Sequence, residues 1–222
     1  MGFRGSTPLQ GGRAGEPSEV AVELKHVTFT GPPLDDEEVL ARLSANHAGL
    51  LRQINGFIQF EGGLHVRGAC REPAWHSLRD AWEGEAAFHR LYPEVRPEDV
   101  PFAEDCLGDQ FLLRDGQVWR LWAETGEIES LEVGWSGFFE AVQADPVEYL
   151  SLHPLLQFQR EGGRLEPGQL LAAAPPFCIQ ESANGVSLRA IPADERRRFL
   201  ADLAAQLRDV PDGGQIEFRL EE

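Results

Sequence analysis

Between Glu98 and Asp109 the chain places five carboxylates, Glu98, Asp99, Glu104, Asp105 and Asp109, and this cluster is the strongest candidate for chemistry in the sequence. Acidic groups this close offer hard oxygen ligands to a divalent cation, but they lack the alternating Asp spacing of a calcium loop. Strand alternation also sends neighbours to opposite faces, so Glu104 and Asp105 are not expected to converge. Three readings follow: a metal site, an acidic rim that meets a partner, or a solvated edge. On the partner reading, Glu124, Glu127 and Glu129, which lie close by in sequence, join Glu98, Asp99, Glu104, Asp105 and Asp109 as the candidate partner-binding residues. No catalytic residue, cofactor site or metal site is assigned.

Other chemistry finds little support. The sequence has no GxSxG elbow, no GxxxxGK[ST] phosphate loop, no GxGxxG after a strand and no HExxH. The histidines (His26, His47, His65, His76, His89 and His153) are scattered, and each is expected on the surface or in packing. Acidic neighbours raise the pKa of Cys106 and blunt it as a nucleophile. Five tryptophans suggest a stacking platform for nucleic acid, yet phosphate contacts need clustered cations. The basic run Arg196-Arg197-Arg198 has Glu195 and Asp202 close by and is expected to be a solvated face.

The chain has 222 residues and a net charge of −17, from 20 basic and 37 acidic residues. Such a field repels nucleic acid and anionic membranes, and it steers basic partners to contact. At 42% hydrophobic and 9% aromatic, the composition supplies an ample core. Cys70, Cys106 and Cys178 form no CxxC pair and suggest free thiols in a reducing compartment. No apolar run reaches the ~20 residues that span a bilayer, and the N-terminus lacks a signal-peptide core. A cytoplasmic protein without a membrane partner is the expectation. Lys25 is the lone lysine, an arginine bias that points to GC-rich bacterial coding.

The elements around the acidic cluster follow from periodicity. Residues 1–18 are rich in Gly, Pro and small polar groups and are expected to be mobile. Val20, Val22 and Leu24 alternate as a strand, and Val27 and Phe29 shift its phase, which implies a bulge or a break. Asp35-x-x-Glu38 is a capping-box pattern before a helical series from Val39 to Ile54, with a break expected near Ser44. Asn55-Gly56 ends that helix. Strands are predicted at 57–60 and 64–67, then a helical stretch over 74–92 that Gly84 interrupts. An antiparallel meander runs from Val100 to Val133, with its hairpin at Asp115-Gly116. Ser136 is predicted to cap the Phe138-Phe139 helix, and Asp145-Pro146 the next. The tail reads as an apolar run over 169–175, a strand over 186–191, a helix begun by Pro192, and a strand over 215–220.

This order, together with particular residues, resembles the SUKH superfamily. The matching residues are Leu50, Leu51, Asn55 and Gly56 at the helix end, Pro101-Phe102-Ala103-Glu104-Asp105, Gly108-Asp109, Phe111, Val118, Thr125-Gly126-Glu127 and the Phe138-Phe139 helix. The match covers roughly residues 38–150, and Leu43-Ser44 stands where the family often has Leu-Pro. The resemblance implies an α+β fold, a mostly antiparallel twisted sheet with helices packed on it, in a domain spanning 19–152. Residues 153–222 lie outside the resemblance, and their own strand and helix signals predict a strand-helix-strand extension packed on that domain. The resemblance further implies a non-catalytic immunity protein that neutralises a cognate toxin, often a nuclease, by binding it. The expected partner is thus a basic toxin domain. A regulatory scaffold, and an unrecognised hydrolase using Glu104, Asp105 and Asp109, are the alternatives.

Overall fold

A computed structural model describes residues 24–211, so residues 1–18, the strand read at Val20 and Val22, the strand expected over 215–220 and the turn before it lie outside the described residues. Seven strands form one antiparallel sheet in chain order: β1 (Val27–Thr30), β2 (Phe57–Gln59), β3 (Leu64–Val66), β4 (Val100–Asp105), β5 (Gln110–Arg114), β6 (Gln117–Trp122) and β7 (Glu127–Gly134). The β5–β6 turn sets the register of the meander. Asp115 and Gly116 have φ of 51° and 80°, the paired left-handed residues that match a two-residue turn to strand twist. Arg114 then faces Gln117, and Leu112 faces Trp119. The phase shift read at Val27 and Phe29 is a register irregularity in β1 against β2.

The helices are α1 (Glu37–Leu40), α2 (Ala45–Gln53), α3 (Leu78–Glu83), α4 (Phe88–Leu91), α5 (Trp135–Ala144), α6 (Pro146–Tyr149), α7 (His153–Arg160) and α8 (Ala193–Leu207). The break near Ser44 is present, because the Ser44 hydroxyl accepts the His47 amide and starts α2 afresh. Two caps differ from the sequence reading. Asp36, not Asp35, caps α1 through the Val39 amide. Ser136 lies inside α5, which begins behind Gly134 with no side-chain cap.

The protein is α+β, with helices on the antiparallel sheet. On one face Phe57, Phe102, Phe111 and Val118 bury against Phe138 and Phe139 of α5. Phe138 sits 5.2 Å from Phe102 and 4.9 Å from Phe111, ring centre to ring centre. Each such buried ring stabilises by roughly 1.5–3 kcal/mol. On the other face Leu112 and Leu121 pack with Phe88, Tyr92 and Leu200 of α8. A two-stranded ribbon, β8 (Gln169–Ala174) and β9 (Ser187–Pro192), precedes α8. It ties to the sheet where the Leu171 amide donates to the Cys106 carbonyl at 2.8 Å.

Candidate functional site

The acidic cluster does not form a rim. Asp99, Glu104, Asp105 and Asp109 are 2%, 1%, 1% and 6% exposed, while Glu98, Glu127 and Glu129 are exposed and Glu124 is half-buried. The four buried carboxylates answer to arginines buried with them, since an ionised carboxylate leaves water only when paired. Asp99 accepts two bonds from Arg114, at 2.8 and 2.6 Å, and one from the Arg96 amide. The arginine run of α8 is likewise corrected: Arg196 is buried, Arg197 is nearly so, and Arg198 alone is solvated.

Glu104 is the hub of the first cluster. Arg67 donates to it at 2.9 Å and Gln110 at 3.2 Å, and Arg197 of α8 grips both of its oxygens. Burial alone would raise its pKa, but Arg197 and Arg67 hold it well below the usual carboxylate range. A chain of contacts leads away from it. His65 Nδ1 lies 2.9 Å from Glu104, His65 Nε2 lies 2.8 Å from His76 Nδ1, and His76 Nε2 lies 3.0 Å from the Asn55 carbonyl. The carbonyl can only accept, so His76 carries its proton on Nε2 and takes a hydrogen from His65 at Nδ1. His65 Nδ1 then has no hydrogen for Glu104 unless the pair gains a proton, and burial opposes that, pushing His65 down to about 3. A cavity of about 340 Å³ adjoins His65 and Glu104, walled by Trp75, Ile58 and Leu165. Nε2 of His65 is committed to His76 and Nδ1 is turned to the Glu104 carboxylate, so neither is placed to serve as a base toward a molecule in that cavity.

The second cluster lies elsewhere. Arg120 donates through one nitrogen to Asp105 and Asp109, both at 2.8 Å. Asp105 also receives the amides of Leu107, Gly108 and Asp109, and Asp109 that of Ala123. Burial first, and then the charge of Asp109, push Asp105 up to about 7. Asp109 is raised as well, by burial and by Glu124. The same burial and the two aspartates drive the Cys106 thiol well above its ordinary range.

Asp109 forms part of a groove of about 480 Å³ with Glu124, Glu127, Trp122, Pro154 and Phe177. Phe177, 38% exposed, is the large hydrophobic side chain left in the open among the described residues. Glu124 is set in place by Arg196 at 3.2 Å and by the Cys178 amide at 2.9 Å. Three of the eight predicted residues, Asp109, Glu124 and Glu127, thus meet in one groove, while Glu104 borders the other cavity. Glu104 therefore cannot join Asp105 and Asp109 in one hydrolytic centre. The sequence missed Phe177, Trp122 and Pro154 as groove walls, because the tail carrying Phe177 is 55 positions beyond Trp122 and no local period links them.

No family model and no curated protein matches this chain. The crystal structure of Atu4351 from Agrobacterium tumefaciens is similar at a TM-score of 0.49 and 12% identity, over 79% of this chain and 85% of that one. Among the described residues no helix is long and apolar enough to cross a membrane.

Proposed function

We propose that this chain is a non-catalytic binding protein of the immunity type, which neutralises a basic toxin domain by seating it on the groove between Trp122, Pro154 and Phe177. The observation that carries the reading is the pairing of an exposed apolar wall with a lining that holds three carboxylates and no lysine or arginine. An aromatic anchor gives affinity at such a surface, and surrounding charge selects the partner and speeds its arrival. Glu129, exposed on the strand that begins at Glu127, extends the same sign of charge beyond the groove. The element order behind the SUKH resemblance, from the Asn55-Gly56 helix end through the meander to the Phe138-Phe139 helix, supports the same reading.

Co-expression with the product of the neighbouring gene, where that carries a basic toxin domain, tests it. Growth should be rescued and a complex recovered, and Phe177→Asp should abolish both while leaving the fold intact by circular dichroism. Binding that survives Phe177→Asp together with Glu127→Lys would displace the groove as the site. A toxin domain that is neither bound nor neutralised would end the immunity reading.

A further inference from the structure

The groove carries more negative charge than its own cations answer. Asp109, Glu124 and Glu127 line it, and Asp105, buried outside the lining, shares Arg120 with Asp109; even with a proton held part of the time by the two aspartates, these acids outnumber the two guanidiniums of Arg120 and Arg196. Arg120 is shared between two aspartates, and Arg196 is committed to Glu124. The surplus sits beside apolar walls, where water screens it poorly and the field at the groove is strengthened.

We infer that the groove receives an arginine side chain of the partner, its guanidinium meeting the carboxylates of Glu127, Glu124 and Asp109 and its stem lying along Leu107 and Pro154. This rests on the docking role proposed above and names the chemistry of what docks. Arginine fits better than lysine for physical reasons. A guanidinium is planar, weakly hydrated and able to engage two carboxylates with a forked set of donors, whereas an ammonium is a compact, strongly hydrated point. The aromatic walls favour it too, because a guanidinium stacks on such faces. Trp122 already carries one: Arg120 lies 3.8 Å from its ring centre, and Phe177, in the same lining, is exposed.

The aspartate pair supplies an independent consequence. Burial and mutual repulsion make Asp105 titrate near 7, so near neutral pH the pair holds a proton for part of the time. A cation placed beside Asp109 relieves that repulsion and lowers the proton's hold. Binding should therefore release a fraction of a proton at pH 7 and tighten as the pH rises through that value, and both effects should persist in His153→Gln, which removes the imidazole of the same lining.

The probe is N-acetyl-arginine amide, with N-acetyl-citrulline amide as the uncharged analogue of the same shape. Both are titrated into the full chain while the indole N–H resonance of Trp122, assigned with Trp122→Phe, is followed. The arginine compound should move that resonance saturably, and citrulline should bind at least about tenfold more weakly. Glu127→Gln, an exposed change, should weaken the arginine compound, and Glu124→Gln/Glu127→Gln more so. Calorimetry at pH 7 in two buffers of different ionisation enthalpy should show proton release. Equal shifts with citrulline, or an affinity indifferent to both variants, would overturn the inference. The two proposals separate cleanly. A toxin domain lost with Phe177→Asp beside an unmoved Trp122 resonance sinks the arginine inference alone. A bound probe, with toxin binding indifferent to Phe177→Asp, sinks the docking role alone.

Discussion

At Glu104, one carboxylate joins β4 and the end of β3 to α8 through Arg67 and Arg197. Its removal leaves Arg67, which is 0% exposed, without a counter-charge. Glu104→Ala should therefore cost about 3–5 kcal/mol, read as a drop in the urea midpoint at unchanged slope. The buried histidines make a second prediction. Burial pushes His47 and His65 down to about 3 and lowers His76. In the unfolded chain each takes a proton near pH 6.5, so the unfolded state binds more protons in acid. Their contribution is whole above pH 6.5 and is lost as the pH falls toward 3, by at most about 1.4 kcal/mol per pH unit for each ring. Asp105 acts oppositely. Its folded value of about 7 lies above the ordinary one, so the folded state binds more protons between the two, and acid partly restores stability. Three rings outweigh one shared aspartate proton, so the urea midpoint should fall between pH 6.5 and 4, and fall more steeply in Asp105→Asn. A midpoint flat over that range would refute the assignment.

At the scale of elements, caps and glycines give the sharpest contrasts. Ser44→Ala removes the α2 cap and should cost about 1 kcal/mol. Ser136→Ala, which removes no cap, should stay within about 0.5 kcal/mol by thermal or urea unfolding. Gly56 has φ of 75°, and a methyl there would stand 2.6 Å from the His76 ring, so Gly56→Ala should destabilise by about 1–3 kcal/mol. These elements were readable because their signals are local. Asp115-Gly116 fixed a hairpin, Asn55-Gly56 a helix end, and the gap at Gly84 divides α3 from α4 as its sequence implies. The site was readable only in part. The position of the acids in the chain said nothing of the arginines they meet, since Arg67, Arg120 and Arg197 lie 37, 15 and 93 residues from Glu104, Asp105 and Glu104. Charge in a sequence reads as surface until a distant partner is found, which is why Asp99, Glu104, Asp105 and Asp109 were expected outside. Glu127 and Glu124 were found at a groove because they lie beside a turn, where chain reversal keeps side chains near solvent.

For the molecule as a whole, internal pairing sharpens the external field. Five buried acids, Asp36, Asp99, Glu104, Asp105 and Asp109, are nearly balanced by the buried Arg67, Arg114, Arg120 and Arg196. Nearly all of the −17 excess is therefore left to the other residues. A basic toxin domain should associate at a rate that falls steeply between about 0.01 and 0.15 M ionic strength, where the screening length shrinks from about 30 to 8 Å. Stopped-flow mixing measures this, and a rate insensitive to salt would count against steering.

The grip of Arg197 on Glu104 also bears on how the protein is made. The seven strands of the main sheet are complete by Gly134, but the guanidinium that closes on Glu104 comes from α8, later in synthesis. A chain that terminates before Ala193 would carry a finished sheet with Glu104 short of one arginine, and Leu112 and Leu121 stripped of Leu200. Such a fragment displays apolar surface and a half-answered carboxylate together, the features by which cellular proteases and chaperones sort unfinished products. A chain cut before Ala193 should therefore be degraded faster in cells than one that carries α8, a difference that pulse-chase labelling measures.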